Sequence, residues 1–243
     1  MDKLKVLELT GLTKIYINNR GVFDLDLDIY EGDIFGFLGP NGAGKTTAMK
    51  LMTGMMHADR GDVRIFGHSI KDLFETAIRD VGCIVETAES YPYLTASENL
   101  RLFSRYYHDV DERRIDEVLN ITGIFKFRNE KTRNFSLGMK QRLGIASAIL
   151  SHPKLVILDE PLNGMDVEGM VEMRNLIKRL AEESKTTFFI SSHLIHDVEL
   201  TCDRIGIILE GRLVSVDTTI NILRNFASLE NYFMSEVDRY GKL

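Results

Sequence analysis

The chain has 243 residues, 44% of them hydrophobic and 27% charged, a composition that supports a full core and excludes disorder. Its 30 basic and 36 acidic side chains leave a net charge of −6, which offers no bulk attraction to nucleic-acid phosphates or an anionic bilayer. Cys83 and Cys202 have neither C-x-x-C spacing nor a neighbouring histidine pair, so neither a metal site nor a redox pair is supported, and buried, reduced thiols are expected.

Met1 to Lys5 leads into an alternating strand pattern rather than an apolar leader. No stretch reaches the roughly 20 apolar residues of a bilayer span, so a cytosolic chain is expected. Leu25 to Ile29 alternates like a half-buried strand, and Ile34 to Leu38 is nearly continuous, as a strand covered on both faces is. A Gly-rich loop follows, Gly39-Pro40-Asn41-Gly42-Ala43-Gly44-Lys45-Thr46, then a helix through Met49, Leu51 and Met52. Between about Leu94 and His152 the period becomes helical, with Leu100, Phe103, Tyr106 and Tyr107, then Ile115, Val118, Leu119 and Thr122. Pro153 marks the return to a sheet. Leu155 to Leu158 and Thr187 to Ile190 are further buried strands, and Ile205 to Leu209, Glu210-Gly211 and Arg212 to Val216 predict a hairpin. The tail from Thr218 carries Ile222, Leu223, Phe226, Leu229, Phe233 and Val237 at helical spacing.

The Gly-rich loop matches G-x-x-x-x-G-K-[ST] between a strand and a helix, the context a phosphate cradle requires. Its glycines let backbone N–H groups curl around phosphates, Lys45 reaches the β and γ phosphates, and the Thr46 hydroxyl ligates Mg²⁺. Asp159 and Glu160 emerge at the end of a buried strand, where Asp159 holds the Mg²⁺ through its water shell and Glu160 activates the attacking water. By itself, such an acidic pair also reads as a solvated strand end.

Phe135-Ser136-Leu137-Gly138-Met139-Lys140-Gln141-Arg142 resembles the ABC signature L-S-G-G-Q-x-Q-R, matching at Ser136, Gly138, Gln141 and Arg142 and departing at Leu137 and Met139. The resemblance to ABC transporter ATP-binding subunits runs along nearly the whole chain. It implies an α/β P-loop NTPase (RecA-like) core from residues 1–86 and 153–217, with an N-terminal antiparallel β region. An inserted α-helical signature subdomain, 87–152, and a C-terminal helical tail, 218–243, complete one nucleotide-binding domain. ATP and Mg²⁺ are the implied cofactors. Tyr16 resembles the aromatic on which adenine stacks; Gly39 to Thr46, with Thr47, would hold the phosphates. Ser136 and Gly138 would close over the nucleotide of a second subunit. Asn163-Gly164-Met165-Asp166 looks like the D-loop that crosses the dimer interface, and His193 like the switch histidine that senses the γ-phosphate, counted with Glu160 as catalytic. Thr46, Asp159 and Glu86 form the implied metal set, with Glu86 standing where most of the family has glutamine.

The wording Cys83-Ile84-Val85-Glu86, Tyr91 to Leu100 and Ser136 to Gln141 resembles the ATPases of bacitracin-resistance and lantibiotic-immunity exporters. Taken singly, Ser136 also reads as an ordinary helix N-cap, Tyr16 as a core tyrosine, His193 as a structural strand-end histidine and Glu86 as a solvated loop acid. His196 lacks a third ligand and reads as solvated helix surface. The implied partners are a polytopic membrane permease and a second ATPase subunit, as homodimer or heterodimer, with no nucleic acid. The implied location is cytoplasmic, on the inner face of the membrane. The rival readings are an ABC ATPase acting on DNA or ribosomes, which the single cassette and lack of sustained heptads oppose, and a P-loop kinase, which Ser136 and His193 oppose.

Overall fold

The computed structural model describes residues 4–87 and 89–241. Met1 to Lys3, Ala88, Lys242 and Leu243, which include the start of the expected N-terminal strand pattern and the end of the expected tail, lie outside the described residues.

In chain order, β1 (Lys5–Ile15) and β2 (Gly21–Tyr30) form a hairpin, β3 (Ile34–Leu38) runs into the Gly-rich loop and α1 (Lys45–Met52), and β4 (Arg60–Ile65), β5 (His68–Ser69), α2 (Phe74–Ile78) and β6 (Val81–Ile84) follow. Three helices, α3 (Ala96–Ser104), α4 (Glu112–Ile121) and α5 (Leu137–Ala148), separate β6 from β7 (Leu155–Asp159). The chain continues through α6 (Val167–Ser184), β8 (Thr187–Ser192), α7 (Ile195–Thr201), β9 (Arg204–Leu209) and β10 (Arg212–Thr218) to α8 (Thr219–Asn225) and α9 (Leu229–Tyr240).

One sheet is antiparallel, in the order β2-β1-β4-β5; the other runs β10-β9-β3-β8-β7-β6 and is parallel except for β10. Alternation along the parallel strands serves two cores, because successive side chains leave opposite faces. Phe35, Phe37, Leu155, Ile157 and Phe189 face α1 and the antiparallel sheet, with Phe35 and Phe189 stacked at 5.5 Å. Ile34, Leu38, Val156, Leu158, Phe188 and Ile190 face the core beneath α6, α7 and the helical insert. Both sets are apolar, so these strands read as unbroken runs. Each buried side chain of this size contributes about 1.5–3 kcal/mol.

The insert is held by its helix caps. Thr95 and Glu98 form a capping box on α3, Asp111 caps α4 and Ser136 caps α5. At its other end α5 presses on the sheet: a Cβ on Gly82 would lie 1.9 Å from the Ala148 carbonyl oxygen. The helical spacing expected through Tyr106 and Tyr107 stops at Ser104. There the amides of Tyr106 and Tyr107 bond to Phe103 and Ser104, three residues back, and Tyr106 is left 84% exposed. The hairpin β9–β10 turns at Glu210 (φ 48°) and Gly211 (φ 81°), the two positive values that a two-residue turn between twisted strands demands. The helical tail consists of α8 and α9; Phe226, between them, packs edge-on to Tyr232 at 5.0 Å. Among the described residues no helix is long and apolar enough to cross a membrane.

The parallel register positions the site. Leu38 pairs with Ser192, Asp159 with Ser191, and Ile84 with Leu158. The loops after β3, β6, β7 and β8 therefore leave one edge of the sheet together, the edge at which open α/β sheets bind ligands.

Candidate nucleotide site

The loop from Gly39 to Gly44 is shaped by what surrounds it. A Cβ on Gly39 would lie 2.4 Å from the Ile208 carbonyl oxygen, and Gly44 takes φ 102°, a value closed to other residues. The following helix α1 begins without a side-chain cap and without an acidic residue in its first turn. Its positive dipole end and its orphan N–H groups thus face the loop, the arrangement that binds phosphate oxygens. Lys45 is only 6% exposed, and its Nζ donates to the carbonyls of Gly39 (2.7 Å) and Pro40 (3.2 Å) and lies 3.2 Å from Glu160 Oε1.

The buried Asp159 carboxylate joins three elements. Its Oδ2 accepts from the Thr46 hydroxyl at 2.8 Å and from the Glu86 amide at 3.3 Å, and its Oδ1 accepts from the Ser191 hydroxyl at 2.5 Å. The same Ser191 oxygen accepts from the Glu160 amide at 3.0 Å. Glu160 sits at φ 48° and Glu86 at φ 73°, left-handed conformations that cost a non-glycine residue energy and persist where the surroundings over-determine them. The turn aims Glu160 between two partners, with Oε1 on Lys45 and Oε2 2.8 Å from His193 Nδ1. The carboxylate can only accept, so the imidazole donates from Nδ1. Ser191 was not singled out from the sequence; the available signal was the pair of hydroxyls, Ser191-Ser192, closing an otherwise apolar strand.

The remaining expected residues divide into those brought to this cluster and those held apart. Tyr16, 38% exposed, brings its hydroxyl within 3.3 Å of Thr47 Oγ1 and 3.4 Å of Met56 Sδ, so the ring borders the start of α1. The Glu86 side chain pairs with Lys50 of α1, Nζ to Oε1 at 2.5 Å. Ser136 accepts from the Met139 amide at 3.3 Å, and no hydrogen bond among the described residues ties Ser136 or Gly138 to the phosphate loop of the same chain. Instead the start of α5 lies on the segment after β7. Gln141 Nε2 donates to the Asn163 carbonyl at 3.0 Å, and Leu137 covers Gly164, where a Cβ would approach its Cδ2 to 2.5 Å. His196 is exposed. A cleft of about 620 Å³ lined by Ile84, Glu86, Leu137, Gln141, Asp159 and Glu160 runs between the cluster and the insert.

Residues 22–163 match the family model described as ABC transporter. The chain belongs to the ABC transporter family. It is 44% identical to the bacitracin transport ATP-binding protein BcrA of Bacillus licheniformis, over 86% of this chain and 68% of that one. It is 36% identical to the lantibiotic transport ATP-binding protein SrtF of Streptococcus pyogenes, over 86% and 89%. A solved ATP-binding subunit of an ABC transporter superposes with a TM-score of 0.84 at 29% identity, covering 96% of this chain and 99% of that one. This chain is accordingly the ATP-binding and ATP-hydrolysing subunit of an ABC transporter, of the type found in those two relatives. The readings as a P-loop kinase and as an ATPase of DNA or ribosomes fall away.

Proposed function

We propose that the subunit binds MgATP at the carboxyl edge of its parallel sheet, dimerises around two nucleotides and powers export of a peptide antibiotic through a separate membrane permease. The observation that carries the site is the single chain of contacts from Lys45 through Glu160 to His193, beside Thr46 on Asp159. Tyr16 stacks on the adenine, and Gly39 to Thr47 hold the phosphates. The donor set suits a hard cation: the Thr46 hydroxyl and the carboxylates of Asp159 and Glu86 are all oxygen ligands. Among the described residues no group of three or more His, Cys, Asp or Glu forms a metal cage. Mg²⁺ held by so few protein ligands would take the rest from phosphates and water. Thr46, Asp159 and Glu86 would hold Mg²⁺, which would supply neutralisation of phosphate charge.

The protein's own groups do the rest. Lys45 exchanges its carbonyl partners for phosphate oxygens. Glu160 accepts the proton of the attacking water, and His193 holds that carboxylate in one orientation. Ser136 and Gly138, at the N-terminus of α5, complete the site of a second subunit with the Ser136 hydroxyl, the Gly138 amide and the helix dipole. The second subunit is another copy or a paralogue. The permease holds the pair on the cytoplasmic face of the membrane, and the bacitracin and lantibiotic relatives support the class of exported molecule.

Two variants test the assignment. Lys45→Ala is expected to weaken ATP binding measured by calorimetry, whereas Glu160→Gln is expected to bind ATP normally and lose about 10²–10⁴ of phosphate release. Near-normal hydrolysis by Glu160→Gln would remove Glu160 from its role.

A further inference from the structure

Three carboxylates, Glu86, Asp159 and Glu160, stand around the phosphate loop, and they are compensated differently. Asp159 is satisfied by neutral donors, Thr46, Ser191 and the Glu86 amide. Glu160 has Lys45. Glu86 has Lys50, at 2.5 Å. Lys50 lies four residues beyond Thr46 on α1, hence one turn further along the face that carries the Thr46 contact to Asp159. Glu86 is therefore held at both ends, its amide on Asp159 and its carboxylate on the helix that begins at the phosphate loop. The Lys50 side chain is 26% exposed and that of Glu86 59%. A pair so exposed adds little to stability. Its consequence is local: it cancels a negative charge next to a site for polyphosphate and restrains a side chain whose backbone is already in a left-handed conformation.

We propose that Lys50 is a positioning residue for Glu86: by neutralising and tethering that carboxylate it lets an anionic nucleoside triphosphate approach, and it leaves the second carboxylate oxygen for a divalent cation. The inference rests on the nucleotide-site reading above. Without Lys50 the Glu86 charge opposes the triphosphate directly, most strongly when no cation is present to bridge the two.

The test is calorimetric binding of ATP, in EDTA and again with Mg²⁺, to the full-length wild type, Lys50→Gln, Glu86→Gln and the double variant, each shown folded by its thermal transition. Lys50→Gln is expected to weaken metal-free ATP about threefold to fivefold at low salt, and less at about 0.5 M salt, as a screened charge effect does. Adding Glu86→Gln to that variant is expected to return the affinity to within about twofold of wild type, and Lys50→Arg to keep it. A double variant as weak as Lys50→Gln would overturn the proposal, since Lys50 would then be acting on the nucleotide itself or on the helix end. Unchanged affinity in Lys50→Gln would overturn it as well. Lys45→Ala serves as the control: if it binds ATP like wild type, the nucleotide-site reading fails, whatever Lys50 does.

Discussion

Ser191 and Asp159 are paired across the parallel ladder of β7 and β8 and joined by a 2.5 Å hydrogen bond from the serine hydroxyl to Oδ1. The same hydroxyl accepts the Glu160 amide at 3.0 Å. One buried serine thus orients both adjacent acids, turning Oδ2 of Asp159 toward Thr46 and holding the strained backbone of Glu160.

Removing that hydroxyl leaves a buried carboxylate oxygen short of a donor. Ser191→Ala is expected to cost about 1.5–3 kcal/mol in urea unfolding, as for a hydrogen bond to a charged group. It should also raise the Mg²⁺ concentration for half-maximal ATP turnover about tenfold or more, the scale of losses when a ligand's own support is deleted. A Mg²⁺ titration superimposable on wild type would contradict the orienting role.

Among the described residues Ser136 shares no hydrogen bond with the phosphate loop of its own chain, and the proposed sandwich would bring the two together between subunits. With cysteines at Ser136 of one chain and Asn41 of another, in a background of Cys83→Ser and Cys202→Ala, an ATP-dependent crosslink between chains is expected. Gel mobility reads the product, and its absence in an active complex would count against the sandwich.

Close packing of α5 on β6 leaves no room at Gly82, where a Cβ would meet the Ala148 carbonyl oxygen at 1.9 Å. Gly82→Ala should force a backbone shift and cost about 1–3 kcal/mol, read from the denaturation midpoint. Gly67, whose Cβ would meet nothing within 4 Å but whose φ is +79°, should cost only the smaller conformational penalty when changed to Ala.

Burial pushes the Cys202 thiol far above the ordinary value of 9.0, with nearby Asp203 adding to the shift. The folded chain then keeps a proton that the unfolded chain releases above pH 9.0. Fewer protons on the unfolded state make stability fall as pH rises, by about 1.4 kcal/mol per unit. Chemical unfolding of wild type and Cys202→Ala between about pH 8 and pH 10.5 should therefore show a difference in stability that is constant at the lower end and shrinks at the upper. A constant difference throughout would show that the thiol does not titrate as its burial requires.

The sequence by itself determined β2, β3, β7, β8 and the β9–β10 hairpin from their apolar runs, and it named the candidate residues of the site; β4, β5, β6 and α2 were not read from it. The Gly-rich loop had to lie between a strand and a helix, and Asp159 and Glu160 had to end a buried strand. Those features depend on local properties, a side-chain period and the backbone freedom of glycine, which one stretch of chain carries by itself. The sequence did not reveal Ser191, because a serine at the end of a strand acquires its role only from the strand beside it. Nor did it reveal Lys50, a surface lysine by every local measure until β6 delivers Glu86 to the same helix. The end of α3 likewise escaped the periodic pattern, since hydrogen bonding to the third residue back, rather than the spacing of apolar residues, stops it at Ser104. Partners separated by 36 residues, as Lys50 and Glu86 are, or by 32, as Asp159 and Ser191 are, meet only through the strand order β3-β8-β7-β6. That order is decided by how two apolar faces of one sheet are buried at once, a property of the assembled layers and of no single segment.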